Sequence, residues 1–168
     1  MKLHFTKQSE FADVDEFDCD NQALNSFLKD LSLLFQRRHF GVTILCFKEE
    51  DLKKIIIGYY TLCPASVQRE ALPEKFLTGP KPNPIPALRL CRLAIDKRFQ
   101  NQGYGKILFV HALKKYLDQS KQIGGSIIII DAKDTKAKQF YEHFGFLSLP
   151  SNPFVLIQTI KYIEHHFA

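Results

Sequence analysis

Apolar residues recur three and four positions apart at Leu24, Phe27, Leu28, Leu31, Leu34 and Phe35, the spacing that gathers side chains on one face of a helix. Asp20 or Asn21 stands where an N-cap would close its first turn. Val42–Phe47 and Ile55–Leu62 read as strands joined by the polar turn Lys48–Lys54, a hairpin. Pro73–Pro86 holds five of the eight prolines together with Gly79, which predicts a loop. Ala87–Asp96 is the next strand, and Tyr104–Gln122 reads as a helix turning Ile107, Leu108, Val110, His111, Leu113 and Leu117 toward a core. Ser126–Asp131, with four consecutive isoleucines, predicts a strand covered on both faces. Thr135–Phe144 follows as a short helix ended by Gly145, then Phe146–Leu149 and Phe154–Ile160 as closing strands. This order predicts one α/β domain over residues 1–168, a mixed central sheet flanked by helices on both faces.

With 168 residues, 45% hydrophobic and 24% charged, the chain has the composition of an ordinary globular domain. No apolar run approaches the roughly 20 residues of a membrane span, and Met1–Phe11 lacks the apolar core of a secretory signal. Cys19, Cys46, Cys63 and Cys91 are scattered, with no paired spacing. They read as reduced core thiols of a cytoplasmic protein, not as a metal site or a disulfide framework. The net charge of +5 is uneven: the first 20 residues carry six acids against Lys2 and Lys7. Residues 97–138 carry nine Lys and Arg against Asp118, Asp131 and Asp134. That excess favours an anionic ligand, or a polyanion.

Gln100-Asn101-Gln102-Gly103-Tyr104-Gly105 lies between the strand ending at Asp96 and the helix opening at Tyr104. A strand, a glycine turn and a helix build an anion site from backbone alone. Glycine lets several N–H groups converge without a Cβ in the way, and the helix adds its unpaired N–H groups and the positive end of its dipole. The ligand this predicts is a phosphate-bearing cofactor. A second string, Phe140-Tyr141-Glu142-His143-Phe144-Gly145-Phe146, follows forty residues on.

Together with Leu90–Asp96, these two strings resemble the GNAT superfamily of acetyl-CoA-dependent N-acetyltransferases. Their Gln/Arg-x-x-Gly-x-Gly/Ala loop is matched by Gln100, Gly103 and Gly105, and their Phe-Tyr-x-x-x-Gly-Phe string is matched without a gap. Phe17–Cys19 before an Ala-Leu-x-x-Phe-Leu helix, Gly58-Tyr59-Tyr60, Pro86–Asp96 and Ile129-Ile130-Asp131-Ala132 further resemble the GNAT toxins of toxin–antitoxin pairs. The chain departs from them with Asn101-Gln102 in the loop and Cys91 where glycine is common.

The resemblance implies acetyl-CoA as cofactor. Backbone groups of Leu93, Ala94 and Ile95 would hold the pantetheine and the acetyl oxygen. Gln100, Asn101, Gln102, Gly103, Tyr104, Gly105 and Lys106 would form the pyrophosphate loop, and Tyr141 would be the general acid. It also implies aminoacyl-tRNA as acceptor and a ribbon–helix–helix antitoxin as partner, with room for a homodimer. An ordinary GNAT enzyme of a small amine or peptide, or a non-catalytic acetyl-CoA-binding module, are the alternatives. Arg37, Arg38, Arg89 and Arg92 are the candidates for tRNA phosphates, with Lys133, Lys136 and Lys138 behind them. No strong base is evident. Asp131 or a water chain could serve, and an α-amine, with a pKa of roughly 7.7–8.0, needs little help. His39 and His143 read as surface residues, and His165-His166 as a tail.

Overall fold

The computed structural model describes all 168 residues. Its seven strands are β1 (His4–Lys7), β2 (Val42–Glu50), β3 (Lys53–Val67), β4 (Ile85–Ile95), β5 (Ile127–Asp131), β6 (Leu147–Leu149) and β7 (Asn152–Thr159). They form one mixed sheet in the order β1-β2-β3-β4-β5-β7-β6. Five α-helices accompany it: α1 (Gln22–Ser26), α2 (Ser32–Arg37), α3 (Tyr104–Ile123), α4 (Thr135–His143) and α5 (Ile160–Phe167). The chain clusters into two compact units, residues 1–63 with 92–112 and residues 64–91 with 113–168.

In the first unit, alternation along the strands feeds two cores. Leu45, Ile56, Tyr59 and Ala94 pack with Phe17, Phe27 and Leu28, whereas Cys46 and Ile57 pack with Leu108 of α3 and with Leu93 and Ile95. Neighbours in sequence point to opposite faces of a pleated sheet, so each face receives its own helices. Gly58 permits a close approach of β3 to β4 and α3. A Cβ there would lie 2.6 Å from the Ala94 carbonyl oxygen and 2.8 Å from Leu108 Cδ2. The hairpin turn is tighter than the sequence suggests: Glu50 pairs with Lys53, and Asp51 and Leu52 both take positive φ, 49° and 64°. Two left-handed central residues match the twist of the flanking strands.

The first helix is not continuous. A π-turn, Phe27–Leu31, separates α1 from α2. The extra residue per turn shifts the apolar stripe, leaving Leu31 and Leu34 51% and 46% exposed while Phe27 and Leu28 stay buried. Ile107 of α3 is likewise exposed, and Phe109, Ala112 and Tyr116 take core places beside Leu108, Leu113 and Leu117. The predicted loop Pro73–Pro86 opens with a short 3-10 turn, Glu74–Phe76, and another, Arg69–Ala71, precedes it; Leu72 and Phe76 are buried with Ile85, Ala87, Ile127, Ile129 and Ile157. Residues 160–167, read as the end of a strand and a tail, form α5, capped by the Thr159 hydroxyl and anchored by fully buried Ile163.

The thiols differ from expectation in part. Cys19 and Cys46 are buried reduced thiols, as expected, but Cys63 and Cys91 are disulfide-bonded.

Asp96 ends β4 and organises the turn into the next helix. Its fully buried carboxylate accepts from the backbone N–H groups of Arg98 and Asp18 and from Arg98 Nε and Nη2, at 2.8–3.2 Å. Burial acts to raise its pKa, yet the Arg98 and Asp18 hydrogen bonds outweigh it and hold the group below the usual carboxylate range. A depressed folded pKa contributes stability above the unfolded value of about 3.9, and that contribution fades as pH falls toward the folded one. Asp96→Asn should therefore lower stability by about 2 kcal/mol at pH 7, measured as a shift in urea midpoint. The gap to wild type should persist above pH ~4 and narrow below it; a gap that is the same at pH 2.5 and pH 7 would contradict this role.

Candidate acetyl-transfer site

The predicted phosphate loop lies in the first unit. From Ile95 the chain passes Asp96, a 3-10 turn at Lys97–Phe99, and a turn into α3. Asn101 and Gly103 take positive φ, 58° and 87°, so the backbone reverses curvature twice just before the helix. Such alternation points successive N–H groups inward, into a concavity suited to an anion. A Cβ at Gly103 would meet nothing within 4 Å. The demand for glycine there comes from the left-handed backbone and from clearance in front of the loop, not from crowding by protein atoms. Tyr104 and Gly105 begin α3, whose first-turn N–H groups have no intrahelical partner. Loop, helix terminus and open approach together fit a pyrophosphate.

Gln100 braces this loop. Its side-chain amide donates to the Ile95 carbonyl at 2.9 Å and to the Cys19 carbonyl at 3.1 Å, which ties the loop to the end of the Leu93–Ile95 strand segment. The Gln102 amide donates to the Arg98 carbonyl at 3.0 Å. Sequence reasoning missed Asp96 as the anchor of this arrangement, although an Asp with Arg two residues on, just after a strand, is the local signal for such a turn. It also treated the acidic N-terminal segment as a charge total. Asp18 in fact pairs with Lys97 Nζ at 2.7 Å, and Glu16 lies 3.9 Å from Arg98, so those acids brace the residues that lead into the loop.

The basic candidates have distinct surroundings. Arg37 makes an exposed ion pair with Glu10, and Arg38 is exposed at the end of α2. The Arg92 guanidinium lies 3.6 Å from the Phe27 ring centroid and 5.8 Å from that of Phe35, a cation–π setting that fixes its plane. In the second unit, Arg89 Nη1 bridges both carboxylate oxygens of Asp131 at 3.0 Å. Lys133 and Lys136 are exposed, and Lys138 faces Glu142 one turn away at 3.6 Å.

Tyr141 lies on α4 in the second unit, buried. Burial, then the charges of Asp131 and Asp134, push its phenol above the ordinary tyrosine range. The hydroxyl is therefore protonated throughout the neutral range, as a proton donor must be. Burial pushes the Cys46 thiol up to about 12, which removes it as a nucleophile. His143 is exposed, and His165 and His166 sit in the last turn of α5, with His166 Nδ1 2.9 Å from the Tyr162 carbonyl oxygen.

Residues 42–147 match the acetyltransferase (GNAT) domain family. This chain belongs to the GNAT acetyltransferase family. The GNAT match spans the loop, α3 and Tyr141 alike, so both halves of the predicted chemistry fall within it. A tRNA-acetylating toxin of Mycobacterium tuberculosis (strain ATCC 25618 / H37Rv) is 29% identical over 154 residues, 91% of this chain and 89% of that one. Among solved structures, AtaT complexed with acetyl-methionyl-tRNAfMet superposes with a TM-score of 0.88 at 31% identity, covering 99% of this chain and 100% of AtaT. A Tyr→Phe variant of the AtaT toxin, bound to the C-terminus of the antitoxin AtaR and acetyl-CoA, matches with a TM-score of 0.83 at 30% identity, covering 99% and 98%. The GNAT fold of this enzyme thus extends over the whole chain, well beyond the loop and the Tyr141 string. No helix is long and apolar enough to cross a membrane.

Proposed function

We propose that this acetyltransferase moves the acetyl group of acetyl-CoA to the α-amino group of an aminoacyl-tRNA, as the toxin of a toxin–antitoxin pair. The observation that carries this reading is the end-to-end likeness to AtaT in complex with acetyl-methionyl-tRNAfMet. The likeness to AtaT bound by AtaR supports an antitoxin partner; a ribbon–helix–helix protein is the form we assign it.

When bound, acetyl-CoA supplies a thioester whose carbonyl carbon accepts the amine. The backbone of Leu93–Ile95 orients the pantetheine arm and donates to the acetyl oxygen, where negative charge develops. N–H groups of Gln102–Lys106 receive the pyrophosphate, and Asn101 and Gly103 shape the turn that presents them. The new C–N bond forms as the C–S bond breaks. Tyr141 delivers its phenolic proton to the departing sulfur and is reprotonated from solvent, while the amine loses its proton to water. With an amine pKa of roughly 7.7–8.0, a useful fraction is already neutral at pH 7, so no strong base is required. Arg37, Arg38 and Arg92 supply positive charge for acceptor-stem phosphates.

The test is transfer of label from radiolabelled acetyl-CoA to bulk aminoacyl-tRNA, with deacylated tRNA, polyamines and peptides alongside. Label confined to charged tRNA is expected. Label on a small amine or peptide instead would overturn the acceptor assignment.

A further inference from the structure

In the first unit, three aromatic rings in contact lead from the core to the surface. Phe27 meets Phe35 with ring centroids 5.6 Å apart, and Phe35 meets Phe40 at 5.5 Å, both edge to face. Phe27 is buried, Phe35 half-buried, and Phe40 is 53% exposed. The inner end carries a cation: the Arg92 guanidinium lies 3.6 Å from the Phe27 centroid. Arg92 directly precedes Leu93 on β4. The ring series therefore starts at the side chain next in sequence to the segment assigned to the thioester, and it ends in solvent.

The backbone fixes where Phe40 stands. His39 closes α2 at φ 59°. Its N–H donates to the Gln36 carbonyl at 3.1 Å, and the Phe40 N–H donates to the Phe35 carbonyl at 3.0 Å. These are the paired bonds that end a helix through a left-handed residue, and an apolar contact between the same two positions commonly accompanies them. Phe35 and Phe40 supply that contact. Leucine at position 40 would supply it as well, so a ring more than half exposed exceeds what the cap requires. The surroundings are cationic: Arg37, Arg38 and His39 run up to Phe40, and no acid falls between Asp30 and Glu49 in the sequence. Glu10 reaches Arg37 through an exposed ion pair.

We propose that Phe40, backed by Phe35, is a stacking platform for an unpaired base at the 3′ end of the acceptor tRNA. The proposal rests on aminoacyl-tRNA being the acceptor. The reacting amine is carried on an ester of the terminal ribose, so the unpaired bases lie within a nucleotide or two of the thioester whenever the amine is in place. An exposed aromatic ring flanked by cations suits such a strand, because every base offers a π face and every linkage a phosphate. Phe40 takes the base, and Arg37 and Arg38 the adjoining phosphates. Stacking tolerates any sequence, so this platform holds the end that all acceptors share and does not choose among them.

The experiment has two arms on the full chain. The sequence contains no tryptophan, so Phe40→Trp keeps an aromatic face and installs a single fluorophore. Its emission should be quenched by deacylated tRNA that carries the terminal CCA, and not by the same tRNA trimmed of those three nucleotides. The second arm is steady-state acetyl transfer to aminoacyl-tRNA. Phe40→Leu, which retains the cap contact, should raise KM for aminoacyl-tRNA about 5–100-fold, the range of one lost base–aromatic stack. Its kcat should stay within about twofold, and KM for acetyl-CoA should not move. Phe40→Tyr and Phe40→Trp should stay within about threefold of wild type in all three. Leucine kinetics equal to wild type would overturn the proposal and leave the ring to a protein partner. Quenching that survives removal of the CCA end would overturn it in favour of a contact elsewhere on the tRNA. A lowered melting temperature in Phe40→Leu, with both KM values raised together, would overturn it in favour of a structural role. If wild-type protein labels no aminoacyl-tRNA, the acceptor reading falls and takes this inference with it. If wild type does label tRNA and the Phe40 variants are silent in both arms, this inference falls alone.

Discussion

Replacing Tyr141 by phenylalanine is expected to lower kcat for acetyl transfer to aminoacyl-tRNA by about 10²–10⁴-fold, the range of a lost general acid, and to leave acetyl-CoA affinity within about threefold. The substitution removes one oxygen. The ring keeps its place, buried on α4 with the Phe140 ring edge-on at 5.3 Å, so packing and melting temperature should change little. The phenol suits the role of acid because burial and the two nearby aspartates keep it protonated, and that proton is the one the departing sulfur needs. An equal loss in kcat and in acetyl-CoA binding would instead assign Tyr141 to the cofactor pocket. The pH profile is a second check. Because the phenol titrates above the ordinary tyrosine range, the wild-type rate should rise with deprotonation of the amine, around pH 7.7–8.0. It should show no falling limb from Tyr141 below about pH 10.

Local signals carried most of the architecture. Four isoleucines bounded by Gly124-Gly125 predicted β5 to within one residue, because a strand covered on both faces has no polar alternation to blur. The phosphate loop was legible for the same reason: strand, turn and helix start lie close together in the chain. The features that escaped the sequence depend on partners far along it. Strand β1 is half-buried and only four residues long; its place comes from pairing with β2, whose partner residues lie between Ile44 and Phe47. The π-turn at Phe27–Leu31 preserves the spacing of apolar residues while changing which of them are covered. The Lys97–Asp18 bridge and the Arg89–Asp131 pair are long-range facts with no periodic trace. Tyr141 stands between these cases. Its string can be read, and its role came from the resemblance, but the charges that tune it are set by the fold.

Glutamate in place of Gly103 is expected to abolish acetyl-CoA binding, an increase in Kd of about 10²-fold or more by calorimetry, while the fold survives. Two effects add. Gly103 sits at φ 87°, where a side chain costs about 1 kcal/mol or more in backbone strain, and relief of that strain would turn the loop N–H groups away from their common focus. The second effect is electrostatic: a carboxylate would stand among donors arranged for a pyrophosphate, with like charge opposed at short range. A Cβ there meets no protein atom within 4 Å, so the substitution has no core to disrupt. Alanine at the same position separates the two effects. It introduces the strain without the charge, and should weaken binding by roughly 5–10-fold. If alanine abolished binding as fully as glutamate, backbone conformation alone would govern the site. If glutamate bound acetyl-CoA normally, the loop would not hold the pyrophosphate at all, and the role of Gln102–Lys106 would have to be assigned elsewhere.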